Sequence, residues 1–504
     1  MEPLSSQTRK SADNLLSLLY FTFVWIPLIY AFILLSLSFS TESLTFSFFY
    51  LLGRSTLFGI AQATLSILLI SSFVFCLGYL KIFRDLNKIS QKIFNFSASF
   101  LFSLSPTLAA LSLLSLSSFI KVSTGFLWII FCHFMMNGLF VSYLFLKKID
   151  RFESAQSKDL VSLLKSMGCS RKNFIRFYLF PIFKNDFFSW APQIFLWCFS
   201  SFTPVLLLAE STQQSTPEVL FYYSILNDRS GGRIFFIFVL NLLLGIILNK
   251  FLNKPLYLQE SSTKNSFNQK NNSSVFSFFI AFVSILFFVP FCVSLFKSIQ
   301  FFSIDPSLFF SKDLWSPFLV SFSISLLSFS FSFFIGLLCL VSQQKSLLIK
   351  YSYIFSPLFI LFGWLEVGVH SFNVVTSILI VSFASFLSIF PWFYAQIKNQ
   401  RDQFPQEWGL YCLSLGMSPF KYLRKVLYPQ HKTLLLKISS AASLWAFGEY
   451  AFSKVFFERN ETLSLFIDEN LRRYNFDTSS IGIILSLFGS FILITLLSKG
   501  EGAY

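Results

Sequence analysis

Long apolar runs alternate with short polar joints over almost the whole chain. Apolar segments lie at roughly 15–39, 56–80, 95–117, 126–146, 187–209 and 233–252. A polar stretch rich in Asn and Ser, 253–274, interrupts them. Six more follow at roughly 275–299, 314–342, 350–370, 372–394, 433–455 and 480–497. Each is long enough to cross a hydrocarbon core of ~30 Å at ~1.5 Å per residue. Backbone groups in lipid must satisfy one another, so spans are helices or closed barrels. These runs are continuous rather than ten-residue alternations, so they predict helices. The expected architecture is an all-α polytopic membrane protein of about twelve transmembrane helices, six plus six. Its segments are a tail 1–14, a first membrane domain 15–252, a linker 253–274, a second membrane domain 275–498 and a tail 499–504. The first run is too long for a signal core and lacks a cleavage site, so it is expected to remain as a span.

One polar stretch occurs twice, from Asp159 to Lys184 and from Asp402 to Lys432. With Gly168 set on Gly416, an offset of 248 residues, Ser166 matches Ser414 and Ser170 matches Ser418. Phe174 matches Tyr422, Arg176 matches Arg424, Leu179 matches Leu427, Pro181 matches Pro429 and Lys184 matches Lys432. The duplication predicts two pseudo-symmetric repeats, each carrying this loop between its fourth and fifth span. Leu160, Val161, Leu163, Leu164 and Met167 form a helical stripe with Asp159 near its start, where the helix dipole favours an anion. Gly168 is placed to end that helix. Ser170 can cap a second one, Arg171 to Leu179, which Pro181 then separates from the next span. Pro419 adds a proline at the favoured first helical position of the second copy. Such a hairpin could merely anchor the chain at the interface. Its duplication favours docking to a partner with two equivalent sites.

Composition sharpens the class. Of 504 residues 54% are hydrophobic and 12% charged, with mean hydropathy +0.66, against about 25% charged in soluble domains. The 73 phenylalanines read as lipid-facing filler, and the serines as hydroxyls returned to the helix backbone. A net charge of +15 reports basic cytoplasmic loops rather than nucleic acid. Lys81, Arg84, Lys88 and Lys92, both repeated loops and the linker place both termini and both loops in the cytoplasm. Opposite stretches are balanced by acid: Glu210, Glu218 and Asp228, then Glu458, Glu461, Asp468, Glu469 and Asp477. The seven cysteines are isolated and no CxxC occurs, so neither a metal site nor a disulfide framework is implied. His133, His370 and His431 lie far apart.

The repeated loop resembles the cytoplasmic signature of the permeases of binding-protein-dependent ABC importers of the type I fold. There, as in both copies here, a proline follows a glycine thirteen residues on. Where that family carries an acid six positions before the glycine, this chain has Ser162 and Leu410; Asp159 and Glu407 stand nine before it. The resemblance implies that each loop is a coupling helix seated in an ATPase subunit. It further implies two copies of a cytoplasmic ABC ATPase, a periplasmic or extracellular binding protein, and a location in the cell inner (plasma) membrane. Fused six-plus-six permeases of that family serve thiamine and ferric iron. Trp197 to Leu226 and Ser443 to Tyr474 resemble the thiamine type more closely, so thiamine or its phosphates are expected, with ferric iron as the alternative.

No G-x-x-x-x-G-K-[ST] cradle occurs, so ATP hydrolysis would belong to the partner, and the chain itself is expected to be a transport subunit with no cofactor. Ionisable groups within spans are functional candidates because they are costly there. Glu366 and His370 share one helix face, and Glu449 follows Trp445 by one turn. A carboxylate beside an aromatic face would suit a cationic substrate. Water at the membrane edge for Glu366 and His370, and a helix-packing or gate role for Glu449, accounts for these groups more simply. An ion-driven secondary transporter would instead call for broken helices and coupling acids at the midplane. That class leaves the matched loops without a role, and no paired acids or nucleophile motif points to a membrane enzyme.

Overall fold

The structure is a computed structural model. It describes residues 14–19, 21–37, 44–83, 88–152, 170–209, 214–225, 231–249, 274–302, 312–341, 360, 362–364, 373–402, 417, 419–457, 461–473 and 475–498. All regular elements among these residues are helical. The first half contains α1 (Ile26–Leu37), α2 (Phe46–Phe83), α3 (Lys88–Ser103), α4 (Pro106–Ile120) and α5 (Phe126–Phe152). It continues with α6 (Arg171–Phe174), a π turn (Ile175–Leu179), α7 (Phe180–Phe199), α8 (Thr203–Leu208), α9 (Pro217–Tyr223) and α10 (Gly231–Asn249). After the linker come α11 (Ser274–Leu286), α12 (Val289–Phe302), α13 (Lys312–Val341) and α14 (Val374–Asp402). Then follow α15 (Pro419–Tyr422), a second π turn (Leu423–Leu427), α16 (Tyr428–Phe447), α17 (Ala451–Phe456), α18 (Leu463–Arg472) and α19 (Phe476–Ser498).

Three of these helices are each long and apolar enough to cross a membrane: Phe46–Lys81, Phe126–Ile149 and Asp313–Leu340. A pair bent by 43°, Ser277–Leu286 with Val289–Lys297, is long and apolar enough when its two helices are counted together, as a broken span or a re-entrant loop. Serines bond back to the preceding turn, as Ser142 does to the Gly138 carbonyl at 2.7 Å and Ser385 to Val381 at 2.8 Å. Their hydroxyls thereby cost little in an apolar setting. Phenylalanine is not only lipid-facing filler. Eight of the ten largest fully buried side chains are Phe, among them Phe145, Phe386 and Phe393. Aromatic pairs prefer tilted and edge-on packing, and this core is built from them, as where Phe386 meets Phe393 at 5.8 Å and 85°.

Several expected single spans are broken. The run 95–117 divides into α3 and α4 because Pro106 has no N–H to give, while the Ser105 hydroxyl accepts the Leu108 N–H at 3.3 Å and starts a new helix. The runs 187–209 and 433–455 break after Phe199 and Phe447, and short helices α8 and α17 resume beyond. Most of 350–370 lies outside the described residues.

Between the start of α5 and the end of α8 most element bounds recur at the offset of the repeated loop. Phe126 and Val374 begin α5 and α14; α6, the π turn, α7 and α8 recur as α15, the second π turn, α16 and α17, each bound 248 residues on. Packing recurs as well: α2 lies against α5 and α7, and α13 against α14 and α16. Helices α11 and α12 cross over to α3 and α4 of the first half. Lys297 of α12 donates to the Ser115 carbonyl at 3.1 Å and the Ser118 hydroxyl at 3.3 Å, placing a cation near the C-terminal end of α4, where the helix dipole favours one. Reciprocally, a Cβ on Gly363 would lie 2.2 Å from the Pro27 carbonyl oxygen of α1. Where α13 meets α16, serines form a ladder: Ser325 to Ser443 at 2.6 Å and Ser332 to Ser439 at 3.2 Å. Small residues and interhelical hydrogen bonds of this kind join helices where lipid offers no hydrophobic drive.

Candidate functional site

Of the residues that the sequence singles out, Asp159, Ser166, Gly168, Glu407, Ser414, Gly416 and Ser418 of the repeated loops lie outside the described residues, as do Glu366 and His370. The described part of each loop is its descending helix. The Ser170 hydroxyl accepts the Asn173 N–H at 3.3 Å and caps α6, which carries Phe174. Pro181 and Pro429 do not separate this helix from the next. In both copies the chain widens into a π turn just before the proline and runs on into α7 or α16. The wider turn accommodates the residue that lacks an N–H, so the helix bends its register instead of ending. Arg176 and Arg424 are exposed, with Lys172, Lys421 and Lys425 beside them, and the Arg176 guanidinium lies 5.6 Å from the Phe177 ring. Tyr422 is half-buried, while Pro181 and Pro429 are exposed.

At their far ends α7 and α16 meet. The rings of Trp197 and Trp445 lie 6.2 Å apart at 61°. Their numbers differ by 248, so residues at matching positions of the two halves touch each other. Three residues beyond Trp445, Gly448 turns the chain against the start of α4. A Cβ there would stand 1.9 Å from the Ser105 Oγ, so only glycine allows this approach. Glu449 is half-buried, and its carboxylate accepts the Phe452 N–H at 3.3 Å, capping α17. Its backbone carbonyl accepts the hydroxyls of Ser453 and Ser464 at 2.8 and 2.7 Å.

A buried polar cluster stands next to this break. Asp468 is 3% exposed and accepts the Tyr450 hydroxyl at 2.7 Å, the Arg472 Nε at 3.0 Å on both oxygens, and the Lys454 ammonium at 3.4 Å. Burial alone would lower the Arg472 guanidinium, but Asp468 and Tyr450 raise it further, so it stays protonated. The sequence reading took 454–478 as an acid-balanced outer loop and missed this cluster. Its signal was the four-residue spacing of Asp468 and Arg472 on one face of an amphipathic helix. Among the described residues no group of three His, Cys, Asp or Glu could hold a metal ion. Comparison with family models, with curated proteins and with solved structures gives no match to this chain.

Proposed function

We propose that the chain is the membrane-spanning permease of an ATP-driven importer, moving a substrate handed over by an external binding protein into the cytoplasm. In this reading about twelve spans form two six-helix repeats related by a local two-fold axis. The paired loops face the cytoplasm, and each seats in one of two copies of an ATPase. The observation that carries the reading is the helix–π turn–proline–helix unit that recurs at an offset of 248 residues, with Trp197 and Trp445 meeting between the two copies. Two equivalent levers converging on one contact suit a motor with two equivalent sites, whose closure would swing both halves as rigid bodies. Thiamine or its phosphates are the proposed cargo, on the residues of Trp197–Leu226 and Ser443–Tyr474.

The test is reconstitution of the purified chain in vesicles with the ATPase and binding protein that this reading requires, sought among the genes beside its own. ATP hydrolysis stimulated by loaded binding protein, with uptake of labelled thiamine, is the expected result. Gly416→Pro at normal abundance should abolish both. Normal uptake by that variant would remove the coupling role, and ferric iron uptake without thiamine uptake would replace the cargo.

A further inference from the structure

Between α13 and α14 lies a cavity of about 430 Å³ lined almost wholly by apolar atoms. Helix α14 contributes Leu379, Ile380, Phe383, Ala384 and Leu387, α13 contributes residues from Phe331 to Leu338, and Leu19 and Trp364 border it. We propose that this groove holds an acyl chain of a membrane phospholipid.

The repeat supplies the first argument. The positions 248 residues earlier on α5 are Phe131, Cys132, Met135, Met136 and Leu139. That face is closed: Cys132, Met135 and Leu139 are at most 1% exposed. Phe287, from the bend between α11 and α12, stacks on Phe131 at 6.3 Å and 8° and meets Phe134 at 5.3 Å. In the first half this face is thus filled by an aromatic ring reaching over from the second half, whereas in the second half the same face borders a cavity.

Its chemistry and its mouth name the occupant. Water needs two to four polar partners, and a lining of carbon offers none. The volume falls within the range of ligand sites. Phe334 and Leu379, 66% and 41% exposed, stand at its edge, so the groove opens sideways from a helix long enough to span a bilayer. The bilayer presents one apolar chain at high concentration there, the phospholipid tail. Among the described lining residues none is charged, so the tail is the part recognised and headgroup charge should make no difference. The inference rests on the helices lying in a bilayer and not on the transport reading, so it can fail or stand while transport does the opposite.

The full chain is extracted into nanodiscs of mixed phosphatidylcholine and phosphatidylglycerol, released into a mild detergent and weighed by native mass spectrometry. One retained phospholipid is expected, of either headgroup in proportion to supply. Ala384→Trp, or the gentler Ala384→Leu if the first fails to assemble, should lower its occupancy about tenfold, the worth of roughly two methylenes left unburied. Leu319→Trp, on the 59% exposed surface of α13, should not. A phosphatidylcholine brominated along its tail should quench the wild-type chain more than Trp364→Phe. Retention unchanged in both Ala384 variants, selection by headgroup, a bound detergent or free fatty acid in its place, or equal quenching would each overturn the proposal.

Discussion

Gly448, Glu449 and Asp468 show how single residues shape the break between α16 and α17 and its surroundings. Gly448→Ala drives a methyl into the Ser105 hydroxyl, and overpacking of this kind costs about 1–3 kcal/mol. The expected result is a lower unfolding temperature in detergent, partly restored by Ser105→Gly, which removes the clash while giving up the cap of α4. Glu449 offers a cleaner division. Glutamine keeps an oxygen for the Phe452 N–H, so Glu449→Gln should leave stability unchanged, whereas Glu449→Ala should cost about 1 kcal/mol as a lost cap does. Uptake that falls in Glu449→Gln at full stability would place the carboxylate on the transport path, and unchanged uptake would remove it. Asp468→Asn leaves two cations beside a neutral amide. Arg472 is more than half exposed, so water screens part of the loss. The expected cost is about 2 kcal/mol, below what a fully buried pair would give, and denaturant titration of the variant measures it.

At the scale of elements, apolar period and length told where helices lie but not how they are joined. The recurrence of α6 to α8 as α15 to α17 follows the offset legible in Gly168, Pro181, Gly416 and Pro429. The π turns were not legible, because a proline reads as a stop when the surrounding packing is unknown. Leu179 and Leu427 are buried, so each turn carries an apolar side chain inward just before the helix that contains the proline. The break in the run 95–117 follows from Ser105–Pro106, a cap signal hidden inside a run that hydropathy averages smooth. Asp468 escaped notice because charge counting treats an outer loop as solvated, and only the fold brings Tyr450 and Lys454 to it. The serine ladder of α13 and α16 gives a prediction of its own. A double-mutant cycle of Ser325→Ala and Ser443→Ala, read by unfolding in detergent, should return a coupling of about 0.6 kcal/mol.

Across the whole molecule, Trp197 and Trp445 bind the halves at equivalent points. With native cysteines removed, Trp197→Cys with Trp445→Cys should be joined by a bifunctional thiol reagent long enough to replace the two indole rings, keeping the fragments together after proteolysis within 253–274; two separate bands would contradict the contact. The crossing of α11 and α12 onto α3 and α4, anchored by Lys297, carries a consequence for biogenesis. As the polypeptide leaves the ribosome, residues up to 252 must wait with one flank bare until the stretch from Ser274 to Phe302 has been synthesised. Fragments 1–252 and 253–504 should therefore each be degraded when expressed alone and accumulate when made in the same cell, so that survival in the membrane depends on late translation rescuing early translation.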